Sequence, residues 1–154
     1  MNLYEILDKL NIKYKEIEHE PVCTIEQAIT VSNMIEGIGC KCLFLTDKKG
    51  SYYLVLLEET KKANIKELSK LVNVSHLSFA SCDELSDILN LEQGSVTPLG
   101  IINDTGNLVT VIIDSELQGN YLLVHPNINT KTLSISYDDL IKFVEYEKHN
   151  YIIM

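Results

Sequence analysis

The stretch Gly39-Cys40-Lys41-Cys42-Leu43-Phe44-Leu45-Thr46-Asp47 limits the possible folds more than any other part of this chain. In an extended strand, side chains alternate between faces. Cys40, Cys42 and Phe44 therefore share one face, while Lys41, Leu43 and Leu45 share the other. Both faces are apolar, so the strand is expected to be buried on both sides. Lys48-Lys49-Gly50 then turns the chain back into a second apolar strand, Tyr52 to Leu57.

Helical and strand-like segments alternate around this hairpin. Leu3, Ile6, Leu7 and Leu10 have helical spacing. Tyr14 to Ile17 reads as a short strand. Thr24 followed by Gln27, and Ser81 followed by Glu84, are capping boxes that open helices, the second running to about Leu91. Asn64 with Glu67 caps a helix ending near Val72, and Ser136 caps a last one reaching about Lys148. Further strands are expected over Val74 to Phe79, Leu108 to Ile113, Tyr121 to His125 and Thr132 to Ile135. No linker, repeat or low-complexity run divides the 154 residues, so one α+β domain spanning 1–154 with a largely antiparallel or mixed sheet is expected.

Charge narrows the function. The net charge is −9, and all thirteen basic residues are lysine. Without arginine there are no bidentate guanidinium clamps, and the acidic balance argues against a surface that traps DNA or RNA all over. A local patch remains: Lys62, Lys66 and Lys70 are spaced four apart, as a phosphate-contacting stripe or as a solvated helix face. No apolar run approaches the roughly 18 residues of a membrane span, and the N-terminus lacks a signal-peptide pattern, so no membrane partner is expected and the expected compartment is the cytoplasm. Cys23, Cys40, Cys42 and Cys82 have neither disulfide-framework nor zinc-ribbon spacing and are expected to be reduced, mostly buried thiols.

Three features could carry chemistry. Lys41, in a strand with two apolar faces, must point into a cleft, reach the rim or pair with an acid. His125 ends a strand just before Pro126, as a core histidine or a functional one. The loop Gly94-Ser95-Val96-Thr97-Pro98-Leu99-Gly100 can aim backbone amides at a carbonyl or developing oxyanion, or it is an ordinary turn. A Cys42–His125 nucleophile pair is conceivable, although Cys42 points away from Lys41.

Together these segments are familiar. His19-Glu20-Pro21-Val22-Cys23-Thr24, Gly39-Cys40-Lys41-Cys42-Leu43-Phe44-Leu45, Gly94-Ser95-Val96-Thr97-Pro98-Leu99 and His125-Pro126-Asn127 with Asn129-Thr130 follow one another in order. In combination they resemble the YbaK/ProX family of editing domains, relatives of the insertion domain of bacterial prolyl-tRNA synthetase, over about residues 4 to 144. The Val-Thr-Pro-Leu loop and the His-Pro-Asn turn look like the ProX branch, which hydrolyses alanine mischarged onto proline tRNA. The resemblance implies a mixed, partly closed β-barrel flanked by helices.

It also implies a deacylase that needs no metal or cofactor. Lys41 and His125 become the catalytic residues, with Lys41 facing the Gly94–Pro98 amides and holding the terminal adenosine. Gly94, Ser95, Val96, Thr97, Pro98, Thr24 and Asn129 become substrate-binding residues. Lys62, Lys66 and Lys70 become contacts to the acceptor end of mischarged proline tRNA, with Lys48, Lys49 and Lys131 as further candidates. A transient complex with prolyl-tRNA synthetase is a further implied partnership. Where the family commonly has asparagine after the lysine, this chain has Cys42. Two rivals are a non-catalytic tRNA-binding module and a hydrolase using Cys42 or Cys23.

Overall fold

In the computed structural model, which describes residues 1–154, the chain runs α1 (Leu3–Lys9), β1 (Lys15–Glu18), α2 (Ile25–Ser32), β2 (Ile38–Thr46), β3 (Tyr52–Glu58), α3 (Ile65–Leu71), β4 (Ser78–Phe79) and α4 (Cys82–Leu89). After a 3-10 turn at Pro98–Asn103 come β5 (Val109–Ile113), a second 3-10 turn at Ser115–Leu117, β6 (Tyr121–Val124), β7 (Lys131–Ser136), α5 (Tyr137–Tyr146) and β8 (Tyr151–Ile153). The helix starts are set locally. Thr24 and Ser81 close reciprocal capping boxes with Gln27 and Glu84, while Asn64 and Ser136 cap α3 and α5 through their side chains. Each cap satisfies amides that the first turn leaves without partners.

The strands are ordered β1-β7-β6-β2-β3-β5-β8, with β4 also on β2. The β2–β3 hairpin is antiparallel, pairing Cys40 with Glu58 and Thr46 with Tyr52. Parallel pairs are β2–β6, β3–β5 and β5–β8, so the sheet is mixed. β1 and β8 are its free ends. The expected mixed sheet flanked by helices is present, and its strand path stops short of full closure.

The alternation of β2 and β3 divides the interior into two cores. Phe44, Leu54 and Leu56 belong to the larger, which includes α1, α4 and α5 residues. Leu45, Val55 and Leu57 belong to the smaller, closed by Leu68 of α3. Each fully buried leucine or valine contributes about 1.5–3 kcal/mol by leaving water. This hairpin fills both cores and so fixes the frame on which the loops sit.

Three expectations change. The Val74–Phe79 strand shrinks to Ser78–Phe79, because Asn73 turns left-handed (φ 59°) and the Val74 amide caps the end of α3 at the Ser69 carbonyl. The loop ending at Gly100 instead enters a 3-10 turn at Pro98, whose fixed φ suits a helical first turn. The sequence reading has no β8; its three residues gain order only by pairing with β5.

Candidate active site

β2 pairs with β6 at only two positions, Ile38–Leu122 and Gly39–Leu123. Beyond Gly39 the strands part, and a cavity of about 50 Å³ lies in the gap. That is well above the ~10–15 Å³ a single water needs. Cys40, Cys42 and Leu56 line it from the hairpin, Val96 to Pro98 from the loop, and Val124 and His125 from the end of β6. Ala28, Val31 and Ser32 of α2, a helix with no buried residue, line it as well.

The loop is clamped. Gly94 has φ +98°, a left-handed conformation that favours glycine, and lies against the Asn129 side chain. The Ser95 hydroxyl and amide both donate to the Glu92 carbonyl. The Thr97 hydroxyl donates to the His125 carbonyl at 2.7 Å and accepts from the Leu99 amide at 3.3 Å, capping the 3-10 turn. The amides of Val96 and Thr97 donate to no protein acceptor. Buried backbone donors are nearly always paired, so these two amides, on residues that line the cavity, are left free to donate to a ligand.

His125 has a defined tautomer. Its Nδ1 lies 2.9 Å from the Lys131 carbonyl, which can only accept, so Nδ1 carries the proton and Nε2 keeps its lone pair. Burial pushes its pKa below the ordinary histidine value, opposed by the Lys131 hydrogen bond and aided by His19 nearby. The His19 ring, 6.1 Å away, is fixed by the Glu20 carbonyl and the Thr132 hydroxyl, each at 2.8 Å.

A carboxylate that sequence reasoning missed also lines the cavity. Ser32 Oγ lies 3.0 and 3.1 Å from the two Glu59 oxygens. Burial raises the Glu59 pKa, and the Ser32 hydrogen bond partly opposes this. Hairpin register alone could have found it. The tight turn that sets Cys40 against Glu58 carries Glu59 to Gly39, whose carbonyl accepts the Glu59 amide at 2.9 Å.

The other expected residues disperse. Lys41 pairs across the hairpin with Leu57, on the face of the smaller core and α3. The expectation that its amine faces the Gly94–Pro98 amides is overturned, because alternation gives that side to Cys40 and Cys42. Hydrogen bonds from the Thr60 hydroxyl and amide, with a smaller contribution from the Lys41 charge, hold the Glu58 carboxyl below its usual value. Thr24 is the cap of α2, its hydroxyl taken by the Gln27 amide, and does not line the cavity. Asn129 is a staple: its amide group exchanges hydrogen bonds with both the carbonyl and the amide of Val22.

Lys66 and Lys70 lie exposed on α3, and Lys62 precedes its cap, all across the β2–β3 hairpin from the cavity. Lys131 is engaged by Glu16 and Glu18. The four cysteines are free, but Cys23 and Cys82 are exposed, against the expectation of mostly buried thiols. Burial pushes the Cys40 thiol up to about 12 and raises Cys42 as well, so neither supplies a thiolate nucleophile at neutral pH.

Comparison with known proteins bears on this geometry. The model of the aminoacyl-tRNA editing domain matches residues 19–143. The chain is 42% identical to the prolyl-tRNA editing protein ProX of Acetoanaerobium sticklandii, over 90% of this chain and 86% of that protein. It is 34% identical to the prolyl-tRNA synthetase associated domain-containing protein 1 of Danio rerio, over 99% of this chain and 84% of that one. Among solved structures, hypothetical protein APE2540 superposes with a TM-score of 0.76 at 17% identity, covering 98% of this chain and 97% of that chain. No helix is long and apolar enough to cross a membrane.

Proposed function

The chain belongs to the aminoacyl-tRNA editing domain family, and from that premise we propose that it is a trans-acting deacylase, residues 1–154 working as one unit, that removes alanine from mischarged proline tRNA. The observation that carries this reading is the pairing of two unpartnered amides, Val96 and Thr97, with an uncharged His125 around one small cavity.

An aminoacyl ester is already labile, so positioning and charge stabilisation matter more than a strong nucleophile. Water adds to the ester carbonyl, and the Val96 and Thr97 amides hold the resulting oxyanion. The lone pair of His125 Nε2 accepts a hydrogen bond from the attacking water or from the neighbouring ribose hydroxyl. The acyl carbon–oxygen bond then breaks, and the proton lost by water ends on the departing ribose oxygen. Gly94, Ser95 and Pro98 hold the loop in shape, and Asn129 with Thr24 secures the segment carrying Val22. Lys41 takes no step in the cavity. It shares a side of the hairpin with Lys62, Lys66 and Lys70, and there these ammonium groups meet the acceptor-end phosphates. A transient complex with prolyl-tRNA synthetase would hand over its mischarged product by the same surface.

Selectivity follows from size. A synthetase gains only about 1–3 kcal/mol per methylene when it selects proline over something smaller, so alanine slips through. A second cavity of about 50 Å³ admits the smaller side chain and excludes the larger. The test is timed release of amino acid from alanyl-, cysteinyl-, seryl- and prolyl-tRNA(Pro). Alanine should leave fastest and proline should be spared; alanine release no faster than in buffer removes the reading.

A further inference from the structure

Glu59 is the only acidic side chain lining the cavity, and the one histidine there, His125, is held neutral. A single fixed negative charge among apolar and neutral groups selects for a cation. The carboxylate is also under-partnered. Its two oxygens can accept about four hydrogen bonds, yet Ser32 is the only side chain that donates to them, and its single proton is shared with the Ala28 carbonyl at 2.9 Å. No lysine forms an ion pair with it.

Its place is built into the fold. A methyl group on Gly39 would stand 2.4 Å from the Glu59 carboxyl carbon and 2.3 Å from Ser32 Oγ. The bare glycine thus leaves the seat in which the pair rests.

We propose that Glu59, oriented by Ser32 and seated over Gly39, receives the α-ammonium group of the aminoacyl ester. This rests on the deacylase reading and deepens it. Three N–H donors of a primary ammonium match the open acceptor positions of the carboxylate. Anchoring the amine on the hairpin side points the ester carbonyl across the cavity toward the Val96 and Thr97 amides. The raised pKa of Glu59 fits a carboxylate awaiting its cation, since an ammonium alongside would draw it back down.

The test compares alanyl-tRNA(Pro) with lactyl-tRNA(Pro), in which a hydroxyl replaces the ammonium at nearly the same size. Wild-type protein should favour the alanyl ester. Glu59→Gln should lower kcat/KM for alanyl-tRNA by about ten- to a hundred-fold while changing lactyl-tRNA by less than about three-fold. Glu59→Asp should recover part of the loss on the alanyl ester alone, and both variants should melt near the wild type. Equal losses on both esters would make Glu59 a base or a packing residue and overturn the proposal, as would no loss on either. A wild-type chain that hydrolyses neither ester removes the deacylase reading first and this one with it.

Discussion

Thr97 joins the two halves of the candidate site, and its removal can be worked through in numbers. Thr97→Val keeps the shape and deletes the hydroxyl. The His125 carbonyl then loses its 2.7 Å donor and the Leu99 amide its 3.3 Å acceptor, at a side chain 1% exposed. Losing a helical cap costs about 1 kcal/mol. Stranding a buried carbonyl costs about 1–3 kcal/mol. The added methyl returns about 0.8 kcal/mol of burial. The net destabilisation is about 1–3 kcal/mol, which for a chain of this size lowers Tm by about 3–10 °C. Activity should fall further than stability, by about ten-fold or more in kcat/KM at a temperature where the variant is fully folded, because the freed loop no longer presents its amides in register with His125. Urea melts and alanyl-tRNA deacylation measure the two effects, and Thr97→Ser should restore most of each. A valine variant that melts within about 1 °C of the wild type and deacylates at the same rate would refute the clamp.

The remaining predictions concern charge and reactivity. His125 is held below the ordinary value of 6.5, so above that pH it is neutral in both folded and unfolded chains; as pH falls below 6.5 the unfolded chain takes up the proton first and stability declines. The stability difference between wild type and His125→Gln should therefore slope downward from pH 6.5, and a flat difference refutes the assignment. Iodoacetamide at neutral pH should label exposed Cys23 and Cys82 ahead of Cys40 and Cys42 and leave deacylation intact, as mass mapping alongside the assay would show. Activity lost in step with Cys42 labelling would revive the thiol mechanism. Lys66→Gln with Lys70→Gln should raise KM and lower the salt slope of tRNA binding by about one unit per contacting lysine; an unchanged slope in filter binding across a salt series excludes the stripe.

What the sequence reveals depends on how far its signals reach along the chain. The capping boxes at Thr24 and Ser81, the caps at Asn64 and Ser136 and the β2–β3 turn are complete within a few residues, so their elements are readable before any packing is known. The loop through Pro98 and His125 line one cavity, joined by the Thr97 hydroxyl. Lys41 shows where local reading stops. Alternation correctly sets it opposite Cys42, but both faces are apolar, so only the packing of α3 against Leu57 decides which face borders a core and which borders the cavity. Glu59 needed the hairpin register carried one pair past the strand end. β8 needed a partner strand forty residues upstream in sequence.

The Asn129 staple reaches across 107 positions to Val22, and the groups it gathers extend to Thr132. Contacts of such long sequence separation carry a large loop-closure penalty and form late in folding. A nascent chain whose segment from Asn129 onward is still held in the ribosome has its early helices but no finished enclosure. Refolding from urea should accordingly return the far-ultraviolet signal before it returns turnover, so that turnover itself reports completed folding.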